Sequence, residues 1–242
     1  MMRTRILLLQ ARHDDDPVKV EERRSFASKA GIPEERFTPH NLLGGPPSLH
    51  QVRSHDALMI GGSGDFYVSN GDLPQFPAVL DFLGELVAIG HPTFASCFGF
   101  QLLVKALGGE IVHDPDRMEV GTYELALTRE GVKDPLLGSL PTRFLAQVGR
   151  KDRARLLPLS AVHLASSAQC PFHALRIPKQ PIWATQFHPE LNGRENRTRF
   201  LRYLKGYSSH LSPEEREEAL QRFCESPETV SLISSFLKLV FG

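Results

Sequence analysis

Cysteine is scarce in this sequence. Only Cys97, Cys170 and Cys224 occur among 242 residues, an odd number, widely spaced and without a CxxC pair, which excludes a disulfide framework and argues against a zinc site. A reducing cytoplasm fits that usage. Long hydrophobic runs are missing as well. The apolar stretch near the start, Ile6 to Leu9, ends before Arg12 and an acidic cluster, with no small-residue cleavage site, so a buried strand is expected rather than a signal peptide. No other window approaches the roughly 20 apolar residues of a membrane helix. Net charge is also absent. The 28 basic and 28 acidic side chains cancel, and no basic stretch with interleaved aromatics stands out, so neither nucleic acid nor a membrane surface is an expected partner. Repeats, low-complexity tracts and Ser/Gly linkers are likewise lacking. A chain of this length, 41% hydrophobic and 23% charged, can bury a substantial core, and one large α/β domain is the expectation.

Periodicity alternates between buried strands and helices. Arg5 to Gln10 reads as a strand, and Val18 to Ala30 as an amphipathic helix stopped by Gly31 and Pro33. His55 to Ile60 is a second apolar run. Pro77 to Ile89 reads as a helix, Thr93 to Ser96 as a short strand, and Phe98 to Leu107 as a helix stopped by Gly108 and Gly109. This order predicts a mostly parallel sheet covered on both faces. From Glu110 to Ile177 the runs are short and separated by Gly and Pro, which suits a smaller mixed sheet. Ile182 to Phe187 closes the strands, and Arg194 to Leu204 is helical. In the tail, Ser212-Pro213-Glu214-Glu215 and Ser226-Pro227-Glu228 each read as a helix start. The expected architecture is a three-layer α/β sandwich, residues 1–206, with a helical extension, residues 207–242. The apolar last helix is expected to pack on the domain or on a partner, such as a second copy in a homodimer.

The strongest chemical signal is Ala95-Ser96-Cys97-Phe98-Gly99-Phe100-Gln101, between a strand and a helix. A thiol on such a turn projects into a cleft, near helix N–H groups that favour thiolate, and Gly99 lets the chain bend and pack closely on the sheet. A lone cysteine is more often a small buried hydrophobe, and only a base elsewhere changes that reading. Gln186-Phe187-His188-Pro189-Glu190 supplies one. His188 would emerge at the same carboxyl edge of the sheet, with Glu190 swinging back to hold one imidazole nitrogen while the other faces the sulfur.

With these two motifs and Asp56 to Gly62, the chain resembles the class I, triad-type glutamine amidotransferases, over roughly Ile6 to Tyr203. The nearest branch is that of stand-alone, GMP-synthase-like members with a flavodoxin-like fold. The family's elbow reads roughly G-x-C-x-G-x-Q and its base motif Q-F-H-P-E. The resemblance implies that Cys97 attacks the carboxamide of glutamine, that His188 transfers the proton and that Glu190 orients it. It further implies an oxyanion hole at Gly62 and Phe98, where each donor is worth roughly 3 kcal/mol. Substrate contacts would come from Gly61, Gln101 and the stretch Gln147, Val148 and Gly149. No metal and no cofactor are implied.

Three departures are visible. Ala95 replaces the usual glycine, Gly61-Gly62-Ser63-Gly64-Asp65 replaces a proline-containing loop, and Arg150 stands near a common histidine position. Arginine cannot act as a base near neutral pH, so Arg150 is excluded from the catalytic set. His13 to Asp16 reads as an acidic loop ahead of a helix, and His163 and His173 as strand-face histidines. No synthetase domain is visible, so ammonia would pass to a synthetase in trans. The alternatives are an independent γ-glutamyl hydrolase or peptidase with the same triad, and a non-catalytic, ligand-binding relative.

Overall fold

In the computed structural model, which describes residues 4–204 and 211–242, the first apolar run is strand β1 (Ile6–Ala11), buried along its whole length. Helix α1 (Val18–Ala30) ends at Gly31, whose φ of 66° is the left-handed stop expected of glycine. Strand β2 (Phe37–Asn41) was not expected. It holds Pro39 and buries only Phe37, as suits an edge strand without hydrophobic alternation. Helix α2 (Leu49–Arg53), strand β3 (Ala57–Ser63), helix α3 (Phe76–Ile89), strand β4 (Thr93–Ser96) and helix α4 (Phe98–Ala106) follow. The middle segment contributes β5 (Glu110–His113), β6 (Glu119–Leu127), α5 (Arg129–Val132), β7 (Arg143–Arg150), β8 (Asp152–Leu156), β9 (Val162–Ser166) and β10 (Ala174–Ile177). Strand β11 (Ile182–Thr185) and helix α6 (Gly193–Arg202) precede the tail helices α7 (Pro213–Gln221) and α8 (Leu232–Phe241).

Nine strands form one sheet in the order β2-β1-β3-β4-β11-β10-β9-β6-β7. The five strands from β2 to β11 are parallel, and the pairings from β11 to β7 are antiparallel. The middle segment therefore divides differently from expectation. The tight connection from Ile177 to Ile182 folds β10 back onto β11, so β10, β9, β6 and β7 extend the central sheet. Only β5 and β8 form the small second sheet, and it is antiparallel rather than mixed.

Alternation on the central strands feeds two cores. Ile6, Leu8, Ala57, Met59, Phe94 and Trp183 face one layer, while Leu7, Leu9, Leu58, Ile60, Ala95 and Ala184 face the other. This is why these strands read as continuous apolar runs. Helices α3 and α4 cover the second face. On the first face α1 is joined by α8, whose Leu232, Ile233, Phe236 and Leu237 are buried in the same cluster as Phe94 and Trp183. The ring of Phe236 lies 5.5 Å from that of Phe94 and 6.0 Å from that of Trp183. The tail thus packs on the domain. The expected boundary at residue 206 and the first three residues lie outside the described part of the chain.

The two tail signals diverge. Ser212 and Glu215 form a capping box at α7. Ser226 stands ahead of a single 3-10 turn, Pro227–Thr229, which it does not cap with its side chain; its hydroxyl accepts from the Gln147 amide, and α8 begins only at Leu232. Among the described residues no helix is long and apolar enough to cross a membrane.

Candidate active site

Strands β3, β4 and β11 are neighbours and parallel, so the segments that leave their carboxyl ends converge on one edge. At the end of β4, Cys97 adopts φ 50° and ψ −101°, an uncommon backbone for a residue with a side chain, which costs about 1–3 kcal/mol. Its N–H donates to the Thr185 carbonyl at 2.7 Å, tying the turn to β11. A Cβ on Gly99 would lie 2.7 Å from Ile60 Cβ and 2.9 Å from the Ile60 carbonyl oxygen, so glycine there lets α4 press onto β3. The first N–H groups of α4 have no partner within the helix, and Phe98 borders the cleft beside Cys97.

His188 leaves the end of β11 with its N–H donated to the Gln147 carbonyl at 2.8 Å. Its Nδ1 lies 2.7 Å from Glu190 Oε1, and the Cys97 sulfur is close enough to act on the same imidazole. Burial alone would lower the proton affinity of His188. The charge of the Cys97 sulfur, followed by that of Glu190, outweighs it and pushes the imidazole up to about 10. Gln186 reaches the same sulfur, with Nε2 3.7 Å from Sγ. The Gln101 amide in turn donates to Gln186 Oε1 and to the Asp152 carbonyl, both at 3.1 Å. Cys97 and Gln101 open onto a cleft of about 570 Å³, walled by the loop from Ser63 to Tyr67, by Gly149 to Asp152, and by Arg202 and Tyr203, while His188 faces a small adjoining pocket that it lines with Gly62, Gly149 and Arg199.

Several expected residues are engaged otherwise than expected, although Gly62 itself lies beside the His188 ring, whose Cε1 a Cβ there would meet at 3.2 Å. The space beside Gly61 is filled by the Glu22 carboxylate, which a Cβ would meet at 2.6 Å. The N–H of Gly62, expected as an oxyanion donor, is given to Glu22 Oε1 at 3.1 Å. The reason is a buried ion pair, Arg12 with Glu22 at 2.8 Å, that brings the carboxylate under this turn. Gln147 and Val148 do not border the cleft either. The Gln147 amide donates to the Cys224 carbonyl and Ser226 Oγ, and the Val148 carbonyl accepts from Asn196, so both fasten the tail and α6 to β7. Only Gly149 of that stretch reaches the site, its carbonyl 3.7 Å from Cys97 Sγ.

Asp152 was not expected in the site, where it fastens the loop beyond Ser63 by accepting from Ser69 N–H at 2.9 Å and Ser69 Oγ at 2.8 Å. Nor were Arg12, Glu22, Arg199 and Tyr203, whose phenol accepts from Arg12 at 2.7 Å and donates to Asp16 at 2.5 Å. None of these belongs to a local motif, and Asp152 alone lies close to one of the stretches singled out, just beyond Gln147 to Gly149.

Arg150 is buried on Glu119, at 2.6 and 3.0 Å. His173 and Ser167 hold the same carboxylate at 2.9 and 2.5 Å. Glu119, Cys170 and His173 offer ligand atoms within 4.8 Å of one another, the one such group found among the described residues. Arg150 already supplies Glu119 with the positive charge that a metal would bring, so the donor set fits an internal ion-pair network better than a metal centre.

The family model described as glutamine amidotransferase class-I matches residues 49–204. Among curated relatives, a glutamine-hydrolyzing GMP synthase of Caldanaerobacter subterraneus subsp. tengcongensis is 25% identical over 157 residues, 65% of this chain and 28% of its own length. A glutamine-hydrolyzing GMP synthase subunit of Archaeoglobus fulgidus is 28% identical over 143 residues, 59% of this chain and 70% of that protein. The chain thus spans under a third of the first of these relatives and most of the second. A crystal structure of a glutamine amidotransferase from Thermotoga maritima shares the fold with a TM-score of 0.72 at 17% identity, over 99% of both chains. A glutamine amido transferase from Methylobacillus flagellatus gives 0.65 at 19% identity, over 99% of this chain and 90% of its own.

Proposed function

The chain belongs to the class-I glutamine amidotransferase family, and from that premise we propose that it hydrolyses the side-chain amide of glutamine through a γ-glutamyl thioester on Cys97. The observation that carries this reading is His188 held by Glu190 at 2.7 Å, with the Cys97 sulfur acting on the same imidazole and lining the cleft. Cys97 Sγ, having passed its proton to His188, attacks the carboxamide carbon. The tetrahedral oxyanion forms beside the Phe98 N–H at the start of α4. His188 protonates the departing nitrogen, and ammonia leaves. Water, deprotonated by the same imidazole, then attacks the thioester carbon and releases glutamate and the free thiol.

In this cycle Gln101 and Gly149 line the substrate's path. The Gly62 N–H serves as the second oxyanion donor once it leaves Glu22. Ammonia then passes to a synthetase in trans, in keeping with the Archaeoglobus relative's being named as one subunit of a GMP synthase. The reaction belongs in the cytoplasm. Purified protein is expected to release ammonia from glutamine, and Cys97→Ala to abolish that release. Unchanged turnover in Cys97→Ala would remove the thioester mechanism.

One observation favours a second reading, an independent γ-glutamyl hydrolase. The cleft of about 570 Å³, with Phe66, Tyr67 and Tyr203 in its wall, is large for a carboxamide and falls within the roughly 300–1,000 Å³ of sites that enclose larger ligands. Amine release from γ-glutamyl peptides far exceeding ammonia release from glutamine would select this reading. Glutamine turnover that rises when a synthetase is co-purified would select the first.

A further inference from the structure

Two carboxylates lie beneath the catalytic edge, each holding a different part of it. Glu190 Oε1 holds His188 Nδ1 at 2.7 Å, and Glu22 Oε1 accepts the Gly62 N–H at 3.1 Å. Between them stands one guanidinium. Arg199 Nη1 lies 3.7 Å from Glu190 Oε1 and 3.8 Å from Glu22 Oε1. The sequence places it there through α6, which starts just after Glu190 and is anchored by the capping box of Asn192 and Glu195. Two turns along, position 199 points inward and is 8% exposed.

The guanidinium is not tightened onto either acid. Arg199 Nη1 and Nη2 are buried without a hydrogen-bond partner among the described residues, and so is Glu190 Oε2. Leaving such groups open costs stability, and closing onto one carboxylate would relieve it. Near-equal distances to both acids are the arrangement of a group that serves both. Glu22 has a second cation, Arg12 Nη2 at 2.8 Å. For Glu190, Arg199 is the nearest arginine or lysine nitrogen within ion-pair distance.

We propose that Arg199 is a positioning residue for the reaction, one charge that orients Glu190, and so His188, while standing ready to satisfy Glu22. The proposal rests on the reading of Cys97, His188 and Glu190 as the triad. When the Gly62 N–H turns from Glu22 to a developing oxyanion, Glu22 Oε1 loses a donor. Arg199 Nη1 is the buried donor beside it that is free to close the gap. The base and the oxyanion turn are then coupled through a single side chain that touches neither substrate nor sulfur.

The test uses the full chain with Arg199→Met, of similar length and no charge, and Arg199→Lys as the conservative rescue. Two readouts are taken: steady-state ammonia release from glutamine, and the low-field proton resonance of His188 Nδ1–H, assigned by its loss in His188→Ala. Arg199→Met should lower kcat about tenfold or more with KM within about threefold, as for a group acting only on the transition state. It should also shift or broaden the resonance, and Arg199→Lys should recover most of both. A folded Arg199→Met with wild-type kcat and an unchanged resonance overturns the proposal, as does Arg199→Lys no better than Arg199→Met. If Arg199→Met does not fold, Arg199→Gln, which keeps a polar head in the same space, is judged by the same outcomes. Should the wild-type protein release no ammonia from glutamine, the functional reading fails on its own, and the resonance alone decides the role of Arg199.

Discussion

The chain contains two cysteine, histidine and glutamate constellations, Cys97 with His188 and Glu190, and Cys170 with His173 and Glu119. In both, a histidine lies near a cysteine and is hydrogen-bonded to a carboxylate, at 2.7 Å in one and 2.9 Å in the other. Burial alone would push the Cys170 thiol up, yet the hydrogen bond and charge of His173, with Arg150, bring it below its ordinary value. A lowered thiol therefore does not by itself mark a nucleophile. Access and backbone do. Cys97 stands on a strained turn at the mouth of a cleft, whereas Cys170 and His173 are fully buried and Glu119 is also held by Arg150 and Ser167. An activated-looking thiol becomes a nucleophile only where a substrate carbon can reach it.

The largest effect should separate the two cysteines outright. Cys97→Ala is expected to lower ammonia release by about a thousandfold or more, and Cys170→Ala to leave kcat within about twofold. Alkylation with iodoacetamide, read by mass spectrometry, should mark Cys97 and the exposed Cys224 in the native protein and Cys170 only after unfolding. Native labelling of Cys170 at the rate of Cys97 would break the comparison.

Stability should invert the ranking. Glu119→Gln leaves Arg150 buried beside a neutral amide, a loss of about 3–5 kcal/mol measurable by urea unfolding. The pH dependence carries opposite signs at Glu119 and at His188. Burial would raise the Glu119 carboxyl, but His173, Arg150 and Ser167 together hold it down at about 2. A depressed acid stabilises the fold above its ordinary value of 4.5, and that contribution is lost as pH falls toward 2. His188 is raised, so its contribution is complete below 6.5 and is lost as pH rises toward 10. Glu119→Gln should flatten the acid window and also weaken the contribution of His173, which Glu119 helps to raise. Cys97→Ala, which removes the largest upward influence on His188, should flatten the alkaline one only.

How much of this was legible beforehand follows from range along the chain. The elbow, the base motif and their shared sheet edge are written in short strings, because a strand followed by a turn is a local event. Helix α1 and strand β4 were readable to the residue for the same reason. Edge strand β2 was not, since Pro39 and its exposed side chains give no alternation. The Arg12–Glu22 pair, Arg199 and the fastening of Gln147 to the tail join residues far apart in sequence or without a motif. Gly62 shows the consequence. Its place in a glycine-rich loop was readable, but the carboxylate that takes its N–H comes from α1, 40 residues earlier.

The smallest expected effect is also the most pointed. Cys170→Ala removes one buried sulfur, whose contacts include the Phe172 carbonyl at 3.5 Å and the ring of His173. Deleting one heavy atom from a packed interior costs the lost burial and a small cavity, about 1 kcal/mol. Glu119 keeps Arg150, Ser167 and His173 Nε2 without it, so the ion-pair network survives and the acid window of stability should stay in place. A fall of several kcal/mol on urea unfolding, or a displaced acid window, would instead make Cys170 a charged member of that network. The two constellations would then differ only in access.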